Sequence, residues 1–448
     1  MGTYVKQHWN PADGGGISRR EKRGGDFEAF VPAFLSDRTS ETPQQLPSHA
    51  VPKNISPAIA RRAALVEREI ITLSRIEGVT HLESISRLLL RSEAVASSKI
   101  EGVTPRVDKV ALAELAATEE VRGFKQNAEE VARNVQVLGL VEQNFSQPEA
   151  ITIEHIEQLN THLLGPNPRI PTGLRTVQNW IGGANRTPIG ADFIPPPPEY
   201  VPALMADLCE YINGAEHGAL IQAAIVHAQF EMIHPFADGN GRVGRALIHG
   251  VLQRRGLVDQ ALLPISLILA TWSDQYVAGL GGFREGRLND WLGIFITAAA
   301  EAVTQAKRLA EDLAAIQEDW RTAVDQERKR QGKQRALRAD SLALRLLEAF
   351  PAHPVVTVAS LTRIYDARPT NAREALSLLE AAGVVRTKVI GAKGLTGYFA
   401  DEVLDLITLG DRRLASSRFD TRLSPLAGAG CAGAAVGVLT LAGARTLA

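Results

Sequence analysis

The sequence predicts a mainly α fold, with a helical core interrupted by one extended flap and followed by a C-terminal winged helix-turn-helix. Three observations predict it. Apolar residues recur near helical spacing from residue 56 onward, as in Leu65, Ile70, Leu73 and Ile76. Pro166, Pro168, Pro171 and Gly173 break that pattern, and alternating residues then run up to Pro195-Pro196-Pro197-Pro198. Beyond a charged run, three helical patterns precede two short strand patterns around Gly391-Ala392-Lys393-Gly394, which is the plan of a winged helix.

Taken in order, residues 1–52 read as a flexible N-terminal arm, rich in Gly, Pro and charge, with Tyr4 and Phe27–Leu35 as candidate anchors. Residues 53–145 form an N-terminal helical region. Ser56 caps its first helix with Pro57 at the first helical position, and a second helical run spans about Val107 to Val141. Residues 146–310 hold the core. Its helices are expected at Ile153–Leu164, Glu199–Ile212, Gly218–Ile233, Arg242–Arg254, Trp272–Leu280 and Leu288–Leu313. Residues 175–181 and 187–194 read as extended. A charged helical linker, 311–336, leads to the winged-helix unit, 337–410, where Gly383 stops the third helix. Residues 411–448 are a low-complexity tail rich in Ala and Gly.

Composition bounds the function. The 448 residues suffice for two or three domains, with 45% hydrophobic and 22% charged residues as in soluble globular proteins. A net charge of −1 gives no whole-chain field for nucleic acid or anionic membrane. Two cysteines, Cys209 and Cys431, exclude a disulfide framework and a Cys-based zinc site, which suits a reducing cytosol. No signal-peptide pattern precedes the core, and Lys6 stands where myristoylation needs Ser or Thr, so a cytoplasmic location is expected. The uncharged stretch Leu426–Ala444 reads as a loosely packed tail, with C-terminal membrane association as the alternative.

The chemistry concentrates in His234-Pro235-Phe236-Ala237-Asp238-Gly239-Asn240-Gly241-Arg242-Val243-Gly244-Arg245. His234, at a helix end, titrates near neutrality and can take a proton from a hydroxyl. Phe236 is apolar inside a polar loop and anchors it. Asp238 offers a hard oxygen suited to Mg²⁺. Gly239, Asn240 and Gly241 can aim successive N–H groups at an anion, and the start of the next helix adds its dipole. Arg242 and Arg245 share one helical face and suit phosphate oxygens. Taken singly, each piece is a common structural feature; in this order they describe a nucleotide-phosphate site.

The run resembles the signature of the Fic family of nucleotidyltransferases, His-x-Phe-x-Asp/Glu-Gly-Asn-Gly-Arg-x-x-Arg, over a core of about residues 150–305. The resemblance implies ATP as substrate and Mg²⁺ on Asp238. It makes His234 the general base toward a Ser, Thr or Tyr hydroxyl. The Gly239–Gly241 amides and Arg242 cradle the α- and β-phosphates, with Arg245 near the γ-phosphate. AMP passes to a target protein or to the chain itself. Thr187, Ile189, Ala191 and Phe193 belong to the flap that docks the target by strand addition. Doc-type phosphoryl transfer is the alternative within the family, but its variant loop carries Lys near the second Gly, where this chain has Gly241 and Arg242.

Ser97-Ser98-Lys99-Ile100-Glu101-Gly102 resembles the family's inhibitory motif, Ser/Thr-x-x-x-Glu-Gly/Asn. It implies that Glu101 pairs with Arg245 in place of the γ-phosphate, with Ser97 one turn earlier. The same glutamate could position water for removing AMP. Read without the resemblance, Glu101-Gly102 is an ordinary helix end. Tyr276 and Trp291 are either adenine-pocket residues or core aromatics. Arg368, Arg373, Arg386, Lys388 and Lys393 make DNA a candidate partner of residues 337–410, and relief of such a brake through subunit contacts suggests a homodimer. A winged-helix transcription regulator, whose core senses nucleotide or modifies only itself, is the second functional class.

Overall fold

The computed structural model describes residues 2–9, 24–36, 54–74, 79–147, 149–167, 170–183, 187–258 and 263–418. The tail stretch Leu426–Ala444 and Cys431 lie outside them. No helix among the described residues is long and apolar enough to cross a membrane.

The fold is mainly α, as expected. Two stretches read as a flexible arm instead pair as an antiparallel ribbon, β1 (Thr3–Trp9) with β2 (Gly25–Val31), in register from Thr3↔Val31 to Trp9↔Gly25. Side-chain alternation in β1 and the apolar run after Phe27 carry the signal, but each strand is too short to stand out beside the Gly-rich stretch between them. Phe30, Val31, Phe34 and Leu35 are buried, and the Leu35 N–H donates to Asp207 at 2.6 Å. Trp9 meets Trp180 edge-on at 5.4 Å, so the ribbon backs the segment that leads into the flap.

Helices α1 (Pro57–Ser74), α2 (Val79–Ile100), α3 (Val107–Ala116), α4 (Gln126–Phe145) and α5 (Ile153–Leu164) follow. The single run expected over 107–141 is thus two helices, parted by a connection in which Gly123 has φ 92°. After α6 (Val201–Asn213) comes α7 (Ala219–Ile233), in which every residue is buried. A helix apolar on all sides belongs at the centre of a bundle, and α1, α6, α8 (Asn240–Arg254), α10 (Ser273–Arg284) and α11 (Leu288–Arg330) pack around it. A short α9 (Ile265–Thr271) packs against α2.

The charged linker is the second half of α11, one continuous helix of 43 residues and about 65 Å. Its first half buries Trp291 in the core, and its second half sets Trp320 edge-on to Phe350. The C-terminal unit runs α12 (Leu342–Ala349), β3 (Val355–Val356), α13 (Val358–Tyr365), α14 (Pro369–Ala381), β4 (Arg386–Val389) and β5 (Thr396–Phe399). Its antiparallel sheet has the order β3-β5-β4. An unexpected α15 (Asp401–Arg418) packs back onto α11, α2, α9 and α3. The unit sits on the N-terminal helices. Ser84 donates to the Glu348 carbonyl at 2.6 Å, and buried Arg91 bonds the Pro351 and Ala352 carbonyls at 2.8 and 3.0 Å.

Candidate active site

The central loop joins α7 to α8. At the end of α7, His234 turns into the left-handed region (φ 49°) while its N–H still bonds the Phe230 carbonyl at 2.8 Å. Phe236 is fully buried against Phe230 and pins the loop, as its apolar character predicts. Asn240 closes the turn by accepting the Phe236 N–H and donating to the Phe236 carbonyl, both at 2.8 Å. Asn160 on α5 bonds the Asp238 carbonyl at 2.8 Å. Gly239 has φ 81°, and a Cβ there would stand 2.8 Å from Leu163 Cδ2, so both backbone and packing require glycine. The first bond of α8 runs from the Val243 N–H to the Gly239 carbonyl at 3.0 Å. The amides of Asn240, Gly241 and Arg242 precede that bond and form the positive end of the helix.

His234 is held from below by Arg175 and Asn179, which stand four residues apart. Arg175 is 4% exposed; its Nε bonds the His234 carbonyl at 2.9 Å, and its own N–H bonds the Pro235 carbonyl at 2.9 Å. Burial pushes this guanidinium down to about 9, opposed by Glu199. Asn179 Nδ2 bonds His234 Nδ1 at 2.9 Å and the Phe236 carbonyl at 3.0 Å. Burial, then the Arg175 charge, pushes His234 down to about 3, so the imidazole is neutral at neutral pH.

The two arginines face different partners. Arg242 is 6% exposed and lies 3.8 Å from Asp238, and its buried Nε has no partner among the described residues. Arg245 is 1% exposed and turned toward the end of α2. Its Nε bonds Ser97 Oγ at 2.9 Å, and one Nη bonds the Ser97 carbonyl at 2.9 Å and Glu101 Oε1 at 2.8 Å. Gly241 makes room for this pair, because a Cβ there would stand 2.1 Å from Glu101 Oε1. Gly102 takes φ 77° and ends the helical run just after Glu101.

Behind Arg245 lies a buried polar layer. Glu231 is pushed up to about 7 by burial, against the pull of Arg245. His227 is pushed down to about 3 by burial and by Arg245, and its Nε2 meets the Tyr276 hydroxyl at 2.9 Å. Burial disfavours charge on Arg245, yet Glu101, Tyr276 and Glu231 together hold it above the usual arginine range. Tyr276 is 1% exposed, stacked on His227 and close to Trp291. It is buried in the core beside Arg245.

Ser97, Glu101, His234, Asp238 and the 239–245 segment therefore converge. The flap is slighter than a regular hairpin. Ile181 and Phe193 make one antiparallel bridge, with residues 184–186 outside the described set. Ala191 and Phe193 are half-buried, Thr187 is half-buried and Ile189 is 41% exposed. Arg175, Asn179, Asn160 and Glu231 were not singled out from sequence as site residues. For Arg175 and Asn179 the signal was their place in Arg175-Thr176-Val177-Gln178-Asn179-Trp180; for Glu231, the one carboxylate of its helix, a turn before His234.

The chain is similar to known proteins over part of its length. Protein adenylyltransferase fic-1 of Caenorhabditis briggsae is 31% identical over 138 residues, 30% of this chain and 25% of that protein. The probable protein adenylyltransferase aq_aa38 of Aquifex aeolicus is 35% identical over 100 residues, 22% of this chain and 29% of that protein. The chain thus spans under a third of the length of either relative. A crystal structure of a Fic family protein from Desulfovibrio desulfuricans G20 is 21% identical with a TM-score of 0.48, covering 79% of this chain and 98% of that one. Residues 150–252, which hold the whole 234–245 loop, match the Fic/DOC family, and residues 64–140, which hold Ser97 and Glu101, match that family's N-terminal region.

Proposed function

We propose that the chain is an ATP-dependent protein adenylyltransferase, held off by Glu101. The observation that carries this reading is the convergence of a neutral buried imidazole, three helix-start amides and two buried arginines, within residues that match the Fic/DOC family. In the proposed reaction a target Ser, Thr or Tyr hydroxyl attacks the α-phosphorus of ATP. Its proton passes to His234, and the bond from the α-phosphorus to the pyrophosphate oxygen breaks. The amides of Asn240–Arg242 and the unsatisfied Arg242 Nε stabilise charge on the phosphates. Catalysis of this kind is mostly positioning and charge stabilisation.

The donor set fits Mg²⁺. Asp238 is partly exposed (39%), lies beside the helix-start amides, and would be the protein's ligand. No cluster of three or more metal-ligating side chains exists among the described residues, so phosphate oxygens and water would complete the shell, as Mg²⁺ prefers. The ion would neutralise phosphate charge.

In the brake, Glu101 occupies the guanidinium meant for the γ-phosphate. Kept in place, the same carboxylate suits a water that removes AMP, so reversal belongs to the proposal. The test is His234→Ala. Labelling by α-labelled ATP should fall by about 10²–10⁴ while nucleotide binding persists. Undiminished labelling overturns the assignment, and label from γ-labelled ATP instead of α-labelled ATP would mean phosphoryl transfer.

A second reading draws on the C-terminal unit, where Arg368 just before α14, Arg373 on α14 and Lys388 on β4 are exposed. A winged helix that binds DNA would use them as phosphate contacts. Arg386 is also exposed there and makes a bidentate pair with Asp401 at 2.6 and 2.9 Å. A salt-dependent mobility shift that responds to ATP would favour this regulator; labelling of a second protein favours the transferase.

A further inference from the structure

The hydrogen bonds around His234 specify which of its ring nitrogens carries the proton. Asn179 Nδ2 lies 3.0 Å from the Phe236 carbonyl, 3.5 Å from the His234 carbonyl and 2.9 Å from His234 Nδ1. Carbonyl oxygens only accept, so the atom facing them is the amide NH₂. Asn240 is fixed in the same sense, because its Oδ1 accepts the Phe236 N–H and its Nδ2 donates to the Phe236 carbonyl; that Nδ2 also lies 3.3 Å from His234 Nδ1. Two NH₂ groups thus face Nδ1, which must present a lone pair to them. A neutral imidazole then has its proton on Nε2. Nε2 makes no hydrogen bond with the described residues and is the nitrogen left for a substrate hydroxyl.

We infer that Asn179 is a positioning residue that selects the tautomer of His234, and that in this conformation it places the proton on Nε2, the nitrogen that the transfer requires bare. The consequence for rate rests on the reading of His234 as general base; the tautomer itself does not. With Nε2 protonated, His234 presents a donor to the hydroxyl and has no lone pair there to take its proton. Transfer needs the amide of Asn179 turned over, so that Oδ1 accepts from Nδ1–H and Nε2 is free.

Neither orientation of the amide is fully satisfied. As it stands, Asn179 Oδ1 is buried without a partner among the described residues. Turned, Oδ1 gains the Nδ1 proton but faces the Phe236 carbonyl oxygen at the 3.0 Å now spanned by Nδ2, and the fixed Asn240 Nδ2 stays 3.3 Å from the protonated Nδ1. The Phe236 carbonyl keeps its bond from Asn240 in both cases. Such mutual half-satisfaction makes a two-state element. Asn179 lies two residues before Ile181, whose bridge to Phe193 forms the flap, so a segment docked on the flap would bear on the same backbone. Removal of Glu101 from Arg245 leaves this second lock untouched.

The test reads the ring nitrogens directly, by long-range ¹H–¹⁵N correlation on the full chain labelled with ¹⁵N-histidine. The His234 signals are identified by their loss in His234→Ala. The parent chain and Glu101→Gly should both show His234 protonated on Nε2, and a proton on Nδ1 in the parent overturns the inference. Asn179→Asp offers only acceptors and should move the proton to Nδ1 in a chain that melts as a folded protein. An unmoved proton there also overturns it, and if that variant does not fold the parent spectrum decides alone. In the Glu101→Gly background, Asn179→Asp should label faster from α-labelled ATP. No gain despite a switched tautomer breaks the link to rate. Failure of the base assignment is read separately, as undiminished labelling by His234→Ala.

Discussion

Glu101→Gly is the perturbation with the most to say about this chain. Glu101 gives Arg245 one charge-assisted hydrogen bond of 2.8 Å, between a guanidinium 1% exposed and a carboxylate side chain 22% exposed. Such a bond contributes about 1.5–3 kcal/mol net. If that energy biases Arg245 against the γ-phosphate, its loss raises the competent population by about 10- to 150-fold. The guanidinium itself should stay in place, because both bonds to Ser97 survive the change. The initial rate of label transfer from α-labelled ATP, to the chain itself or to lysate proteins, should rise by that factor. Glu101→Gln keeps an acceptor without the charge and should show a smaller gain. A Glu101→Gly chain that folds, binds ATP and labels no faster than the parent refutes the competition argument, because the ion pair would then be structural.

Two further predictions concern stability. His227 and His234 stay neutral in the fold down to about 3, against 6.5 unfolded. The unfolded chain therefore takes up protons below about 6.5 that the fold refuses. Stability from these two groups is present above that pH and is lost as the pH falls toward 3. Melting temperature should drop steeply below neutrality and less steeply in His234→Gln; identical slopes would falsify this account. At Gly244 a Cβ would stand 2.6 Å from Glu231 Oε1 and 3.0 Å from Phe230 Cδ1. Gly244→Ala should cost about 1–3 kcal/mol by overpacking, read as an earlier denaturant midpoint. An unchanged midpoint would mean that the α7–α8 contact has slack.

Local signals in the sequence were enough for much of this molecule. The period of apolar residues marked α5, α6, α7 and α8 to within a residue or two, because each is an amphipathic or wholly apolar run between clear stops. The loop from His234 to Arg245 was legible because its chemistry is contiguous. The order of imidazole, carboxylate, Gly-Asn-Gly and arginines suits phosphate handling before any fold is known. Where the pattern was weak, the sequence misled. Residues 107–141 kept their apolar spacing across a break, and residues 311–330, read as a separate helical linker because of their charge, continue α11 without a break, burying only Leu313, Gln317, Trp320 and Val324. Strand β2 and the segment after it are held by Ile194, Gln229 and Asp207, which bond Phe30, Ala33 and Leu35 from about 160–200 residues away.

By itself, then, the sequence determined the mainly helical class, the contiguous run of polar groups from His234 to Arg245 and the presence of a carboxylate at 101. Only the tertiary structure decided that Glu101 meets Arg245, that Tyr276 lies behind that arginine, and that Arg175 and Asn179 grip His234. The reason is physical. Helix and turn preferences act within a few residues, whereas pairing across 144 positions depends on where whole helices pack. Burial, which neutralises His234 and makes each hydrogen bond around it count, exists only once the bundle has closed.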